Sequence, residues 1–134
     1  MNLRHIALVY STEQNADRFL GGVLELKKSE SKTLSRELSQ AIFSVDRELG
    51  VINYTNDSLQ VEVFIDGNHP RKTRPVEHIC FEVDDLQAFL ERCRREDVLV
   101  SRIPRGDYDL VFVRDADNNL FEIKEKIKEK EAVS

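Results

Sequence analysis

Leu3-Arg4-His5-Ile6-Ala7-Leu8-Val9 returns in the second half of the chain as Val76-Glu77-His78-Ile79-Cys80-Phe81-Glu82. Each stretch is a short strand-like run carrying His-Ile, then a small residue, then a bulky apolar one. Each is followed by a helix start signal. Ser11 with Gln14, and Asp84 with Gln87, have the spacing of a capping box. Beyond these signals Phe19, Leu20, Val23 and Leu24, and then Leu86, Phe89, Leu90 and Cys93, recur at helical spacing. Gly21 and Gly22 fall inside the first pattern and weaken it.

Strand-like segments follow each helix. In the first half they are Ala41–Val45, Val51–Thr55 and Leu59–Asp66; in the second, Val98–Ile103, Tyr108–Arg114 and Asn119–Glu125. Each half therefore reads β-α-β-β-β, and the chain is expected to be an α+β protein. Two such modules, residues 1–66 and 76–125, would form one mixed eight-stranded sheet with the helices outside. The charged stretch Lys27–Glu37 reads as a surface loop or a poorly ordered segment that interrupts the first module. Residues 67–75, rich in turn formers and cations, read as the linker, and residues 126–134 as a charged, solvated tail.

Bulk properties agree with one such domain. The chain has 134 residues, enough for one substantial core. Apolar residues at 40% and charged residues at 34% describe a globular rather than a disordered chain. A formal net charge of −5 argues against nucleic-acid binding, which needs a basic face for the phosphates. No apolar run approaches the roughly 20 residues that cross a bilayer, and the N-terminal stretch does not read as a signal peptide. Cys80 and Cys93 read as buried free thiols of a reducing compartment, so a cytoplasmic location is expected.

The chemistry-bearing residues stand at matched places in the two modules. One strand cannot surround an ion, so a metal site needs donors from several strands. Alternation of side chains puts His5 on a face with Ala7 and Val9, and His78 on a face with Cys80 and Glu82. Glu62 lies in Val61-Glu62-Val63-Phe64, and Glu122 in Leu120-Phe121-Glu122-Ile123. A carboxylate among bulky apolar neighbours is costly to bury unless it is paired or coordinating. Each module thus offers one His from its first strand and one Glu from its last. The set His5, Glu62, His78 and Glu122 suits one divalent ion such as Zn, Ni, Co, Mn or Fe(II), with room left for water or substrate oxygens. Two carboxylates brought together with no cation between them would repel.

The two β-α-β-β-β modules, the openings HIAL and HICFEVDD, and the closing VRDADNNLFEI resemble the vicinal oxygen chelate superfamily over about residues 3–125. Its members include glyoxalase I, methylmalonyl-CoA epimerase, fosfomycin-resistance thiol transferases, extradiol dioxygenases and bleomycin-binding proteins. The family's closing turn usually reads D-P-D-G-N. Asp115-Ala116-Asp117-Asn118-Asn119 replaces its Pro by Ala and its Gly by Asn, a residue that tolerates a left-handed backbone. The resemblance implies a cupped sheet with the metal in the cup, often beside a dimer interface, and a homodimer that covers sheet edges and an apolar rim.

Carried over, the ligands are His5, Glu62, His78 and Glu122, a set most like bacterial glyoxalase I. The epimerases usually have Gln at the place of Glu62; the fosfomycin enzymes and dioxygenases use three protein ligands. The resemblance implies a metal-dependent lyase or isomerase acting on a small molecule through a chelated enediolate, with Glu62 or Glu122 as the proton shuttle. An epimerase of acyl thioesters and a non-catalytic binding protein are the alternatives. Glutathione-dependent members carry an Arg four residues after the first His and an Asn four residues after the first Glu; Val9 and Asp66 stand there. Elsewhere, His69 and the cluster Arg71, Lys72 and Arg74 read as solvated linker, Cys80 as a small core residue, and Glu82 as a rim or supporting residue.

Overall fold

A computed structural model describes residues 1–68 and 75–127. Two compact units emerge, one ending at Lys72 and one starting at Thr73. His69, Arg71, Lys72 and Arg74, most of the expected linker, and residues 128–134 of the expected tail lie outside the described residues.

In the first unit, β1 (Ile6–Tyr10) leads into α1 (Glu13–Ala16), which runs on as a π-helix over Asp17–Val23. Then come β2 (Lys27–Lys28), β3 (Lys32–Leu34), α2 (Arg36–Phe43), β4 (Leu49–Thr55) and β5 (Gln60–Ile65). The sheet order is β1-β5-β4-β2, with β3 also on β4. Strand β1 runs parallel to β5, and the other pairs are antiparallel.

In the second unit, β6 (Ile79–Val83), α3 (Leu86–Arg95), β7 (Leu99–Arg105), β8 (Tyr108–Arg114) and β9 (Leu120–Glu125) repeat the plan. The order β6-β9-β8-β7 again sets the first strand parallel to the last. The two βαβββ modules of an α+β fold are therefore present.

Strand alternation decides which face each helix covers. In the first unit Tyr10, Ile52, Tyr54, Val61 and Val63 are buried on one face, together with Ala16, Phe19, Leu20 and Val23 of the helix. Tyr54 Oη donates to Asp17 Oδ1 at 2.6 Å and fixes the helix to that face. Burial and this bond hold the phenol protonated, its pKa raised. Lys28 bridges Glu13 and Asp17, and its bonds to both carboxylates, Glu13 first, raise its pKa. Each fully buried apolar side chain here contributes about 2 kcal/mol by removal from water.

In the second unit Phe89 and Cys93 of α3 are buried with Val111, Val113, Phe121 and Ile123. Leu86 N–H donates to Glu125 Oε2 at 2.7 Å, so α3 sits on the odd-numbered face of β9. Helices α1 and α3 thus lie opposite Glu62 and Glu122, while on the Glu62 face Phe43 of α2 meets Phe64 edge-on, ring centroids 5.0 Å apart.

Four expectations need correction. Ala41–Val45 is not a strand. Ser35 caps a helix by accepting from Leu38 N–H, and the helix ends at Ser44 in the left-handed conformation. Its apolar run read as β because short apolar runs carry no decisive period. The charged stretch Lys27–Glu37 is not a bare loop but holds β2, β3 and the start of α2. In place of the single eight-stranded sheet expected, the described residues form two hydrogen-bonded sheets, of five and four strands. The caps sit one residue later than expected, at Thr12 and Asp85, which accept from Asn15 N–H and Ala88 N–H. Gly21 and Gly22 lie inside the first helix, as the pattern had them; it widens there to π-helical turns, with Leu24 N–H bonding to Phe19 O at 2.9 Å.

Candidate metal centre

His5 and His78 each stand one residue ahead of the first strand of their unit rather than inside it. In the sheet of the first unit Glu62 lies between Ala7 of β1 and Asn53 of β4. His5 Nε2 is 3.8 Å from Glu62 Oε1, both side chains being partly exposed. The second unit repeats the arrangement: Glu122 lies between Cys80 of β6 and Phe112 of β8. His78 Nε2 is 3.4 Å from Glu122 Oε2.

The orientation of His78 is set from outside the pair. Its Nδ1 is 2.7 Å from the carbonyl oxygen of Val76, an acceptor only, so this nitrogen carries a proton and donates. In the neutral ring the Nε2 lone pair then faces a carboxylate oxygen. A cation between them, or a proton on Nε2, is the chemistry that satisfies both. The His78 ring also meets Phe112 edge-on at 5.6 Å.

Each unit thus brings together the His and Glu expected of it. The described residues show no group of three or more His, Cys, Asp or Glu that could hold an ion. The donors are present as two pairs.

Below Glu122, the turn Asp115–Asn119 sets where β9 begins. Asn118 has φ +68°, the left-handed conformation expected of it. Asp115 Oδ1 accepts from Asp117 N–H at 3.0 Å and from Asn119 N–H at 2.9 Å, and Oδ2 accepts from Asn119 Nδ2 at 2.9 Å. Arg114 closes the loop by donating to Asn118 O at 3.0 Å.

One neighbour of the pairs differs from expectation. Cys80 is exposed, not a core residue, and only Cys93 is buried; both thiols are free. Burial first, then the Glu122 carboxylate, pushes the Cys80 thiol up. Glu82 is exposed in register with Lys124, at the rim of the sheet. Asp66, buried at the end of β5, accepts from both Nε and Nη2 of Arg47, with the Nε bond at 2.8 Å. The Asp66 bond is the leading cause of the raised Arg47 pKa. Sequence reading missed Arg47, although a cation was the partner to seek for a carboxylate at the end of an apolar strand.

Among the described residues no helix is long and apolar enough to cross a membrane. Among curated proteins no sequence matches the chain. Solved structures share its fold. A glyoxalase family protein from Bacillus cereus superposes with a TM-score of 0.76 at 12% identity, covering 96% of this chain and 95% of that one. The fosfomycin resistance protein FosX from Listeria monocytogenes gives 0.69 at 18% identity, with 96% of each chain covered. A FosX variant from that organism, complexed with Mn(II) and 1S,2S-dihydroxypropylphosphonic acid, gives 0.71 at 20% identity, covering 96% of this chain and 94% of that one. Residues 2–123 match the Glyoxalase/Bleomycin resistance protein/Dioxygenase superfamily, and the chain belongs to that family.

Proposed function

We propose that His5, Glu62, His78 and Glu122 hold one divalent ion and that the protein is a metal-dependent enzyme of the glyoxalase type, a lyase or isomerase acting on a small molecule. The observation that carries this reading is the repetition of one His–Glu pair at the same place in both sheets. The proposal adds that both pairs serve the same ion, so that the two modules work as one domain. Two imidazole nitrogens and two carboxylates suit Zn, Ni, Co, Mn or Fe(II). The Mn(II) complex of the FosX variant supports a metal for this fold.

When bound, the ion supplies Lewis acidity towards substrate oxygens. The chain's own residues do the rest. The Val76 carbonyl fixes the tautomer of His78. Glu62 or Glu122 takes a proton from the carbon beside the substrate carbonyl and returns it at the neighbouring position. A glutathione adduct is disfavoured as substrate. Val9 offers no charge, and Asp66 is engaged by Arg47 rather than open to a ligand. The enzyme is further proposed to be a cytoplasmic homodimer. Free thiols support the compartment, and the exposed Leu99, Ile103 and Tyr108 of β7 and β8 support a covering partner.

Equilibrium dialysis against the five metals tests the reading, followed by turnover of 2-oxoaldehyde hemithioacetals formed with several thiols. One ion per chain is expected. No binding at any pH from about 6.5, where an ordinary imidazole begins to be mostly neutral, to 8 overturns it. The substitution Glu62→Gln is expected to keep the ion and lose turnover, because an amide coordinates but accepts no proton; surviving turnover moves the base to Glu122.

A further inference from the structure

The residues in register with Glu62 and Glu122 are Ala7, Asn53, Cys80 and Phe112, and none carries a fixed charge. Asn53 alone among them is an amide, and it is held unusually firmly. Its backbone is clamped by Ser29, whose N–H donates to Asn53 O at 2.8 Å and whose Oγ accepts from Asn53 N–H at 3.0 Å. Ser29 lies in the gap between β2 and β3, so the break in that edge of the sheet is what frees it to make both contacts. The side chain is held as well: Gln60 Nε2 donates to Asn53 Oδ1 at 3.0 Å from the same face of the adjacent strand. With its oxygen committed, Asn53 presents Nδ2, for which no acceptor is found among the described residues. The backbone is thus fixed by two bonds and the amide by one, so Nδ2 is a positioned donor open to a ligand or water.

We propose that Asn53 is a substrate-binding residue, its Nδ2–H donating to an uncharged carbonyl or hydroxyl oxygen of the compound bound beside Glu62, and that the substrate class is a neutral ketol or aldol. The inference rests on the metal-site reading above. An amide pays little to lose water and makes a directional bond to a neutral oxygen. An anionic group would gain no counter-charge from any of the four flanking residues.

The test uses the Mn(II)-loaded protein with dihydroxyacetone as probe, affinity being followed by calorimetry. Asn53→Val is expected to weaken the probe about tenfold, the worth of one hydrogen bond. Asn53→Thr, of the same shape as Val but with a hydroxyl donor, is expected to recover most of that loss. Mn(II) affinity is expected to be the same in both variants as in the parent. Dihydroxyacetone phosphate is expected to bind no more tightly than dihydroxyacetone. Unchanged probe affinity in Asn53→Val, a loss confined to Mn(II) affinity, or tenfold tighter binding of the phosphate ester overturns the inference and leaves the metal site standing. Failure of the parent to take up Mn(II) fells the metal site and this inference together.

Discussion

Nε2 of His78 stands 3.4 Å from Glu122 Oε2, with the opposite ring nitrogen bonded to the Val76 carbonyl. The backbone thereby aims one lone pair at a carboxylate before any ligand arrives, which is how a protein prepares a metal-binding imidazole. His5 and Glu62 make the looser equivalent in the first unit, at 3.8 Å.

If one ion is shared, either half of the site is insufficient. His5→Ala and His78→Ala are each expected to lower divalent-metal affinity at least tenfold, with one ion per chain as the parent stoichiometry. Calorimetric titration checks this. A silent His5→Ala beside a damaging His78→Ala would place the ion on the second pair alone.

The turn before β9 is expected to control both stability and the site. Asn118 at φ +68° tolerates Gly, whereas Asn118→Val is expected to cost about 2 kcal/mol from left-handed strain. Asp115→Ala removes three accepted hydrogen bonds at a buried position and is expected to cost about 3 kcal/mol. Urea unfolding measures both. Metal affinity should fall with Asp115→Ala, because Glu122 lies three residues past the loop.

Helix α3 offers a test of single-residue placement. Asp85→Ala is expected to cost about 1 kcal/mol, since Asp85 Oδ1 accepts from Ala88 N–H at 3.0 Å. Asp84→Ala is expected to be close to neutral. The same unfolding assay separates the two.

The thiols should differ in reactivity. Burial pushes Cys93 up to about 11, so it stays a protonated thiol at neutral pH. Iodoacetamide at pH 8 is expected to label Cys80 in the folded protein and both residues in urea, with peptide mapping as the readout. The folded pKa of Cys93 exceeds its unfolded value of 9.0. The stability it confers is therefore complete below about pH 9 and lost as the pH rises towards 11. Cys93→Ala should flatten that slope.

The repeat of His-Ile strands and the Glu of each closing strand were legible because both obey simple periods and stand at matched places. That each module offers one His and one Glu followed from those places; their meeting at 3.8 and 3.4 Å within each unit is a finding of the structure. What escaped reading was non-local or ambiguous. Residues 41–45 are equally good helix or strand by composition, and the deciding signal was Ser35, six residues upstream, with Leu38 and Ile42 spaced by four. The caps were misplaced by one because Ser11 and Thr12, or Asp84 and Asp85, are adjacent residues of equal aptitude. Cys80 looked like core because its small size and strand setting say nothing about which face a helix will cover. Arg47 found Asp66 from the loop between α2 and β4, a contact no local pattern encodes.

In both sheets the His stands just ahead of the first strand and the Glu on the last, strands that are adjacent in space, β1 beside β5 and β6 beside β9. Such a pair closes the widest loop in its module, and loop closure of that span comes late in folding. A nascent or truncated chain that has made the helix and the middle strands still has no carboxylate to set against its histidine. Metal capture at these pairs would then be a certificate of completed folding rather than a nucleus for it: the ion would stabilise a finished module and leave half-made ones to fall apart.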